Sequence, residues 1–266
     1  MLKGISRVTF TALVTLSLSP DLHAQTGSPP AANANSSCPI EHDRLADVLK
    51  KSVKPAGGPT NGGFDNNEWA AVVNRQGTIC AVAFSGKSVQ DQWLGSRAIA
   101  AEKANTANAF SLPNKGIATA NLYAGAQPGG FLFGAALGNP AVPDVIYSGQ
   151  PQQFGTTDDP MIGKSPGGVI VFGGGLPLYD DNGLVGALGV SGDSSCADHN
   201  VAWRVRHSVG LDHVPAGLSP NMKDAIVYDI GADGKSSSGF GHPKCNGKED
   251  QIAVDLGAGV EGNVVR

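Results

Sequence analysis

Apolar residues recur along this chain in several distinct rhythms, and each predicts a different element. Val8 to Leu18 is nearly continuous, follows Lys3 and Arg7, and gives way to Leu22-His23-Ala24. That order of charged, apolar and small residues predicts a signal peptide over 1–24; a spanning helix needs roughly 20 apolar positions without such interruption. Residues 25–37 are small, polar and proline-bearing, a flexible linker. Behind Pro39, the spacing of Ile40, Leu45, Val48 and Leu49 predicts a helix ending near Lys54-Pro55. Two apolar runs separated by Asn74-Arg75-Gln76-Gly77 predict strands at 69–74 and 78–84. The alanine-rich stretch 91–110 predicts a helix packed closely on something flat.

The pattern fades over 111–166, where short helices or pocket-lining loops are expected, because long structureless stretches are uncommon in compact domains. It returns at 167–192, where Asp181-Asn182-Gly183 predicts a hairpin. Leu184, Leu188 and Val190 alternate with Val185, Ala187 and Gly189, giving a bulky face and a small face that could admit a helix or a ligand. Ser194 or Ser195 caps a further helix carrying Val201, Ala202, Val205 and Val209, which Gly210 ends. Beyond it only 225–230 reads as a strand. The expected fold class is α/β (α+β): an antiparallel sheet flanked by helices in one domain, 38–266, with a C-terminal extension from about 211.

Composition narrows the function. At 41% hydrophobic and 16% charged, the 266-residue chain can bury a sizeable core. Its 19 basic and 23 acidic residues, with no basic run, leave out the electrostatic footprint of a nucleic-acid binder. Export to the periplasm or outside the cell makes Cys38, Cys80, Cys196 and Cys245 readable as two disulfides. Cys196–Cys245 would fasten the extension, leaving Cys38–Cys80. Cys196-Ala-Asp-His199 is isolated and lacks the paired spacing of a structural zinc site, so no metal is expected.

Three motifs invite chemistry. Gly173-Gly174-Gly175-Leu176-Pro177 lacks a phosphate loop's lysine and precedes a strand, so a bend in that strand is the plain reading. Val190-Ser191-Gly192 with His199, His207 or His213 as base makes a weak triad, because the first glycine of a nucleophile elbow is missing. At 100° per residue, Ile99, Lys103, Thr106 and Phe110 share a sector of about 60°. A cation, a hydroxyl and a ring on one face suit an anionic, partly apolar ligand. The plain alternative is that Lys103 lies along apolar surface while Thr106 bonds its own helix.

Three segments, WAAVVNRQGTICAVAFSG, RAIAAEKANTANAF and GGVIVFGGGLPLYDDNGLVGALGVSGDSSCADHNVAW, resemble the GlcG/HbpS family of haem-degrading domain proteins over roughly 65–210. The resemblance implies a profilin-like sheet flanked by helices, homo-oligomers, and haem or a related tetrapyrrole as ligand. It also implies, for some exported relatives, a membrane sensor protein as partner. Lys103 and Thr106 fall on the family's K-A-x-T-A motif. On this reading Lys103 pairs with a propionate, Phe110 contacts the ring, and Gly174, Gly175 and Pro177 allow close approach. The haem iron ligand is Thr106 by family analogy or His199 by chemistry. This chain departs from the family in the placing of Asp198-His199, in the length of 111–166 and in the tail bearing Cys245. The expected function is haem binding; a haem-degrading or other small-molecule enzyme, or an accessory protein of a membrane sensor, is the alternative.

Overall fold

Both predicted hairpins form, and their turns show why. A computed structural model describes residues 37–55, 60–221 and 223–261; the predicted signal peptide and the linker up to residue 36 lie outside them. Strands β1 (Trp69–Asn74) and β2 (Ile79–Phe84) are joined by a turn in which Asn74 Oδ1 accepts from the N–H groups of Gln76 and Thr78, at 3.0 and 3.1 Å. Gly77 supplies the left-handed φ of 79°. Strands β3 (Gly175–Asp180) and β4 (Gly183–Ser191) turn through Asp181-Asn182, with Asp180 Oδ1 accepting from the Asn182 N–H at 2.7 Å. Antiparallel pairing of β1 with β4 merges the hairpins into one sheet of order β2-β1-β4-β3.

Every residue of β1 is buried, because helices cover both faces of the sheet. Helix α1 (His42–Val53) and α6 (Ser195–Ser208) pack Leu45, Leu49, Val201 and Val205 against Ala70, Val72, Leu188 and Val190. On the opposite face, Ala98, Ala101, Ala104 and Ala107 of α2 (Ser96–Phe110) meet Trp69, Ala71, Val73 and Ala187. A Cβ at Gly189 would stand 1.9 Å from the Ala100 carbonyl oxygen and 2.6 Å from the Ala104 nitrogen. The small face of β4 therefore admits a helix backbone, not a ligand, at this position. Ser194 caps α6 by accepting from the Ala197 N–H.

The helix predicted over 91–110 begins only at Ser96. Asp91 accepts from the N–H groups of Lys87 and Ser88 at 2.7 and 3.0 Å, which fixes a short 3₁₀ turn, Val89–Asp91, ahead of it. Local side-chain bonds of this kind compete with helix. The unreadable stretch holds three single-turn helices, α3 (Tyr123–Ala126), α4 (Ala135–Gly138) and α5 (Pro143–Ile146). Arg97 clamps it to α2: its Nε donates to Asp159 Oδ2 at 2.9 Å, Nη1 donates to the Ile146 carbonyl at 2.9 Å, and the guanidinium stacks 3.9 Å from the Phe154 centroid.

The tail adds a two-stranded parallel pair, β5 (Ile226–Tyr228) and β6 (Gly259–Glu261), with α7 (Glu249–Asp255) between them in sequence. The cysteines pair as expected, Cys38–Cys80 and Cys196–Cys245. The second bridge does not hold the tail alone. Arg206 on α6 donates to both oxygens of buried Asp224, and Ile226, Tyr228, Ala253 and Ala258 pack on Ala120 and Cys196. Among the described residues no helix is long and apolar enough to cross a membrane.

Candidate functional site

Lys103 projects from α2 past the end of β4 and reaches the first turn of α6. Its ammonium donates to Asp198 Oδ2 at 2.6 Å and to the Val190 carbonyl at 2.9 Å, with the Phe172 ring centroid 5.1 Å away. Asp198 Oδ1 accepts from the backbone N–H groups of Gly192 and Asp193 at 3.0 and 2.8 Å. Burial pushes the Asp198 carboxyl up to about 6, and the Lys103 charge opposes the rise. Gly174, at φ 115°, passes so close that a Cβ there would lie 2.7 Å from the Lys103 nitrogen and 2.4 Å from the Val190 oxygen. Glu68 is buried near the pair. Desolvation first, then the charges of Asp198 and Asp193, push its carboxyl well above the ordinary range.

Thr106 donates to the Glu102 carbonyl at 2.7 Å, one turn back on its own helix, and accepts from the Ile170 N–H at 2.9 Å. Gly175 donates to Thr119 Oγ1 at 2.9 Å, and a Cβ on it would meet Thr119 at 2.4 Å and the Lys103 carbonyl oxygen at 2.6 Å. Pro177 is buried in β3, its carbonyl accepting from Arg206 at 3.1 Å. His199 donates from Nε2 to the Ala258 carbonyl at 3.2 Å and faces Trp203; burial lowers its imidazole to about 3 and leaves Nδ1 without a partner. Phe110 is the half-buried last residue of α2.

The structure brings Lys103, Thr106, Gly174 and Gly175 into one closed knot. Lys103, Thr106 and His199 each have 0% exposure. The strap 170–174 lies over this face of α2, with the Ile170 N–H bonded to Thr106 Oγ1 and the Phe172 ring beside the Lys103 ammonium. A haem needs an open face as well as a donor, and Thr106 and the His199 ring are both closed off from solvent in this structure. Asp198, the partner that closes the knot, lies 95 positions from Lys103, and no local signal links the two.

An open site lies elsewhere. A cleft of about 430 Å³ runs between Gly125–Phe131 and Ile230–Gly239. Phe131, 71% exposed, lines it and meets the Phe240 ring edge-on at 6.2 Å between centroids, with Lys235 and Ser236 on the opposite wall. Asp229 shapes that wall by accepting from the hydroxyls of Ser236 and Ser237 and the N–H of Ser238. The volume falls within the range of small-molecule sites, about 300–1,000 Å³. An aromatic ring beside a lysine and glycine backbone suits a flat, partly apolar anion. Neither wall shows a hydrophobic period, which is why sequence reasoning passes over it.

Comparison with known proteins gives one family match, to the model described as "Haem degrading protein HbpS-like", over residues 66–206. Among curated proteins nothing matches the chain. Similar solved structures include a PduOC–haem complex, 22% identical, covering 62% of this chain and 89% of its own, at a TM-score of 0.42. They also include protein ORFY of Klebsiella pneumoniae, 19% identical, covering 71% and 97%, at 0.41, and HbpS, 14% identical, covering 73% and 99%, at 0.39.

Proposed function

The chain belongs to the HbpS-like family, and from that premise we propose that it is an exported haem- or tetrapyrrole-binding protein, a binding module and not a fast enzyme. The observation that carries this reading is the extent of the match, which runs from the start of β1 to the last turns of α6 and so takes in the whole four-stranded sheet. The open cleft supports it from the geometry. Phe131, backed by Phe240, offers an apolar ring to a macrocycle, Lys235 can pair with a propionate, and Gly129 and Gly130 let backbone approach. When bound, haem supplies an iron centre capable of redox and oxygen chemistry. The protein's part is to bind the ring and neutralise its carboxylates.

Export is supported by the charged-then-apolar pattern of 1–24 and by two disulfides in one small protein. Self-association belongs to the same proposal, supported by exposed Phe64, Trp93 and Leu94 at 70%, 53% and 60%. Signalling to a membrane sensor is the form of haem handling that the family resemblance adds. Titration with hemin tests the core of the reading. A saturable Soret shift at micromolar protein is expected, and its absence would sink the proposal.

A further inference from the structure

Where the tail crosses the start of α6, two cysteines and a histidine converge. One ligand atom from each of Cys196, His242 and Cys245 lies within 4.8 Å of the others, and His242 Nδ1 stands 3.9 Å from Cys196 Sγ. In sequence, Cys196-Ala-Asp-His199 on α6 meets its mirror, His242-Pro-Lys-Cys245, in the tail. The first segment contributes only Cys196 and the fold brings the two ligands of the second to it; His199 takes no part. Among the described residues no other cysteine takes part in such a cluster, so Cys38–Cys80 is not its equivalent.

We propose that this corner has a second redox state, in which the reduced Cys196 and Cys245 with His242 bind a thiophilic divalent cation of the zinc class. The proposal does not depend on haem binding. A dithiol reductant opens the site. Cys245 is partly exposed and Cys196 fully buried, so the reductant's thiolate bonds to the Cys245 sulfur, the S–S bond breaks, and the electron pair leaves on Cys196. The reductant's second thiol then displaces Cys245 and the reductant ends as a disulfide, having delivered two electrons and two protons. Cys196 is the second residue of a 14-residue helix, where the N-terminal dipole favours a thiolate.

The cation then displaces both thiol protons. Tetrahedral zinc with Zn–S near 2.3 Å and Zn–N near 2.1 Å keeps its ligand atoms about 3.5–3.8 Å apart. Cys196 and His242 already stand close to that separation. Only Cys245 must withdraw, and it lies in a coil segment, in neither a helix nor a strand. His242 Nδ1 now donates to the Pro243 carbonyl at 2.7 Å, and Nε2 accepts from the Gly173 N–H at 3.3 Å; the cation takes the Nδ1 proton's place, and the ring adopts the Nε2–H tautomer, giving up the Gly173 bond and donating to Ser195 Oγ, 3.4 Å away. A water completes four-coordination.

Full-length protein, reduced anaerobically and freed of reductant, is titrated with cobalt(II) as a zinc surrogate. One equivalent is expected to give thiolate-to-cobalt charge transfer with tetrahedral d–d bands, which zinc abolishes; oxidised protein gives neither. His242→Gln should weaken binding at least about tenfold. Alkylation of the reduced wild type, mapped by peptide mass, avoids any folding defect of the variant: zinc should shield Cys196 and Cys245 and leave Cys38 and Cys80 reactive. Absence of charge transfer, or zinc leaving Cys196 and Cys245 as reactive as Cys38 and Cys80, overturns the proposal.

Discussion

The Lys103–Asp198 knot and the cleft beside Phe131 differ in almost every physical respect. The knot consists of charged and hydroxyl groups whose donors and acceptors are consumed within the protein. The cleft is walled by glycine turns and the exposed Phe131 ring, with Lys235 across from it. A buried cation held by a carboxylate and a carbonyl fixes how α2, β4 and α6 meet, and an open wall with spare apolar surface leaves room for a ligand. Chemically suggestive side chains on one helix face are therefore not sufficient to mark a site. Their partners decide, and those partners come from elsewhere in the chain.

If the knot is structural, Lys103→Ala should have the largest effect: a loss of roughly 3–5 kcal/mol, because Asp198 is left buried and unpaired. Urea unfolding measures this. A loss below 1 kcal/mol would return Lys103 to the ligand-facing reading. Cys245→Ser comes next. Releasing a loop of 49 residues removes about 4 kcal/mol in the chain-entropy model, less whatever Arg206–Asp224 and the apolar cluster retain. Hydrogen exchange should show loosening confined to residues beyond about 235, with the sheet still protected. Sheet amides exchanging together with the tail would contradict the picture of a separately fastened extension.

The third effect is a pH dependence that the open cleft should not share. His199 is held neutral by burial, its folded value near 3 lying below the ordinary 6.5. The folded state therefore keeps its full advantage above pH 6.5 and loses it as pH falls toward 3, by about 1.4 kcal/mol per unit. Glu68 works in the opposite sense. Its raised folded value gives stability that is full below the ordinary carboxylate range and fades as pH rises through the folded value. Glu68→Gln should thus gain on the wild type at pH 8 and match it near pH 4, in thermal melts at the two pH values. Equal differences at both would show that Glu68 is ionised. The smallest stability effect belongs to the cleft: Phe131→Ala should change stability by less than about 0.5 kcal/mol, as exposed positions do.

Much of the frame was legible in the sequence. Alternating apolar runs with Asn74–Gly77 and Asp181–Gly183 between them mark both hairpins, and the alanines of α2 announce the close helix–sheet contact that Gly189 permits. The cysteine pairing follows because the tail needs an anchor. The start of α2 was misplaced because Asp91 captures the preceding amides, a competition that helical periodicity does not register. The closure of the knot was hidden because Ile170, Phe172 and Asp198 come from distant segments. The cleft was hidden because its walls, about a hundred residues apart in sequence, are built from glycine turns and serine–aspartate bonds that carry no period.

The most direct test of where haem binds is a hemin titration of wild type beside a Phe131→Ala, Lys235→Ala double variant, followed through the Soret band. A cleft-bound haem predicts affinity at least about tenfold weaker in the variant, the loss of roughly 1.4 kcal/mol expected from one aromatic contact and one charge pair, with an unchanged Tm. Titrations that superimpose would place the haem elsewhere and contradict the account.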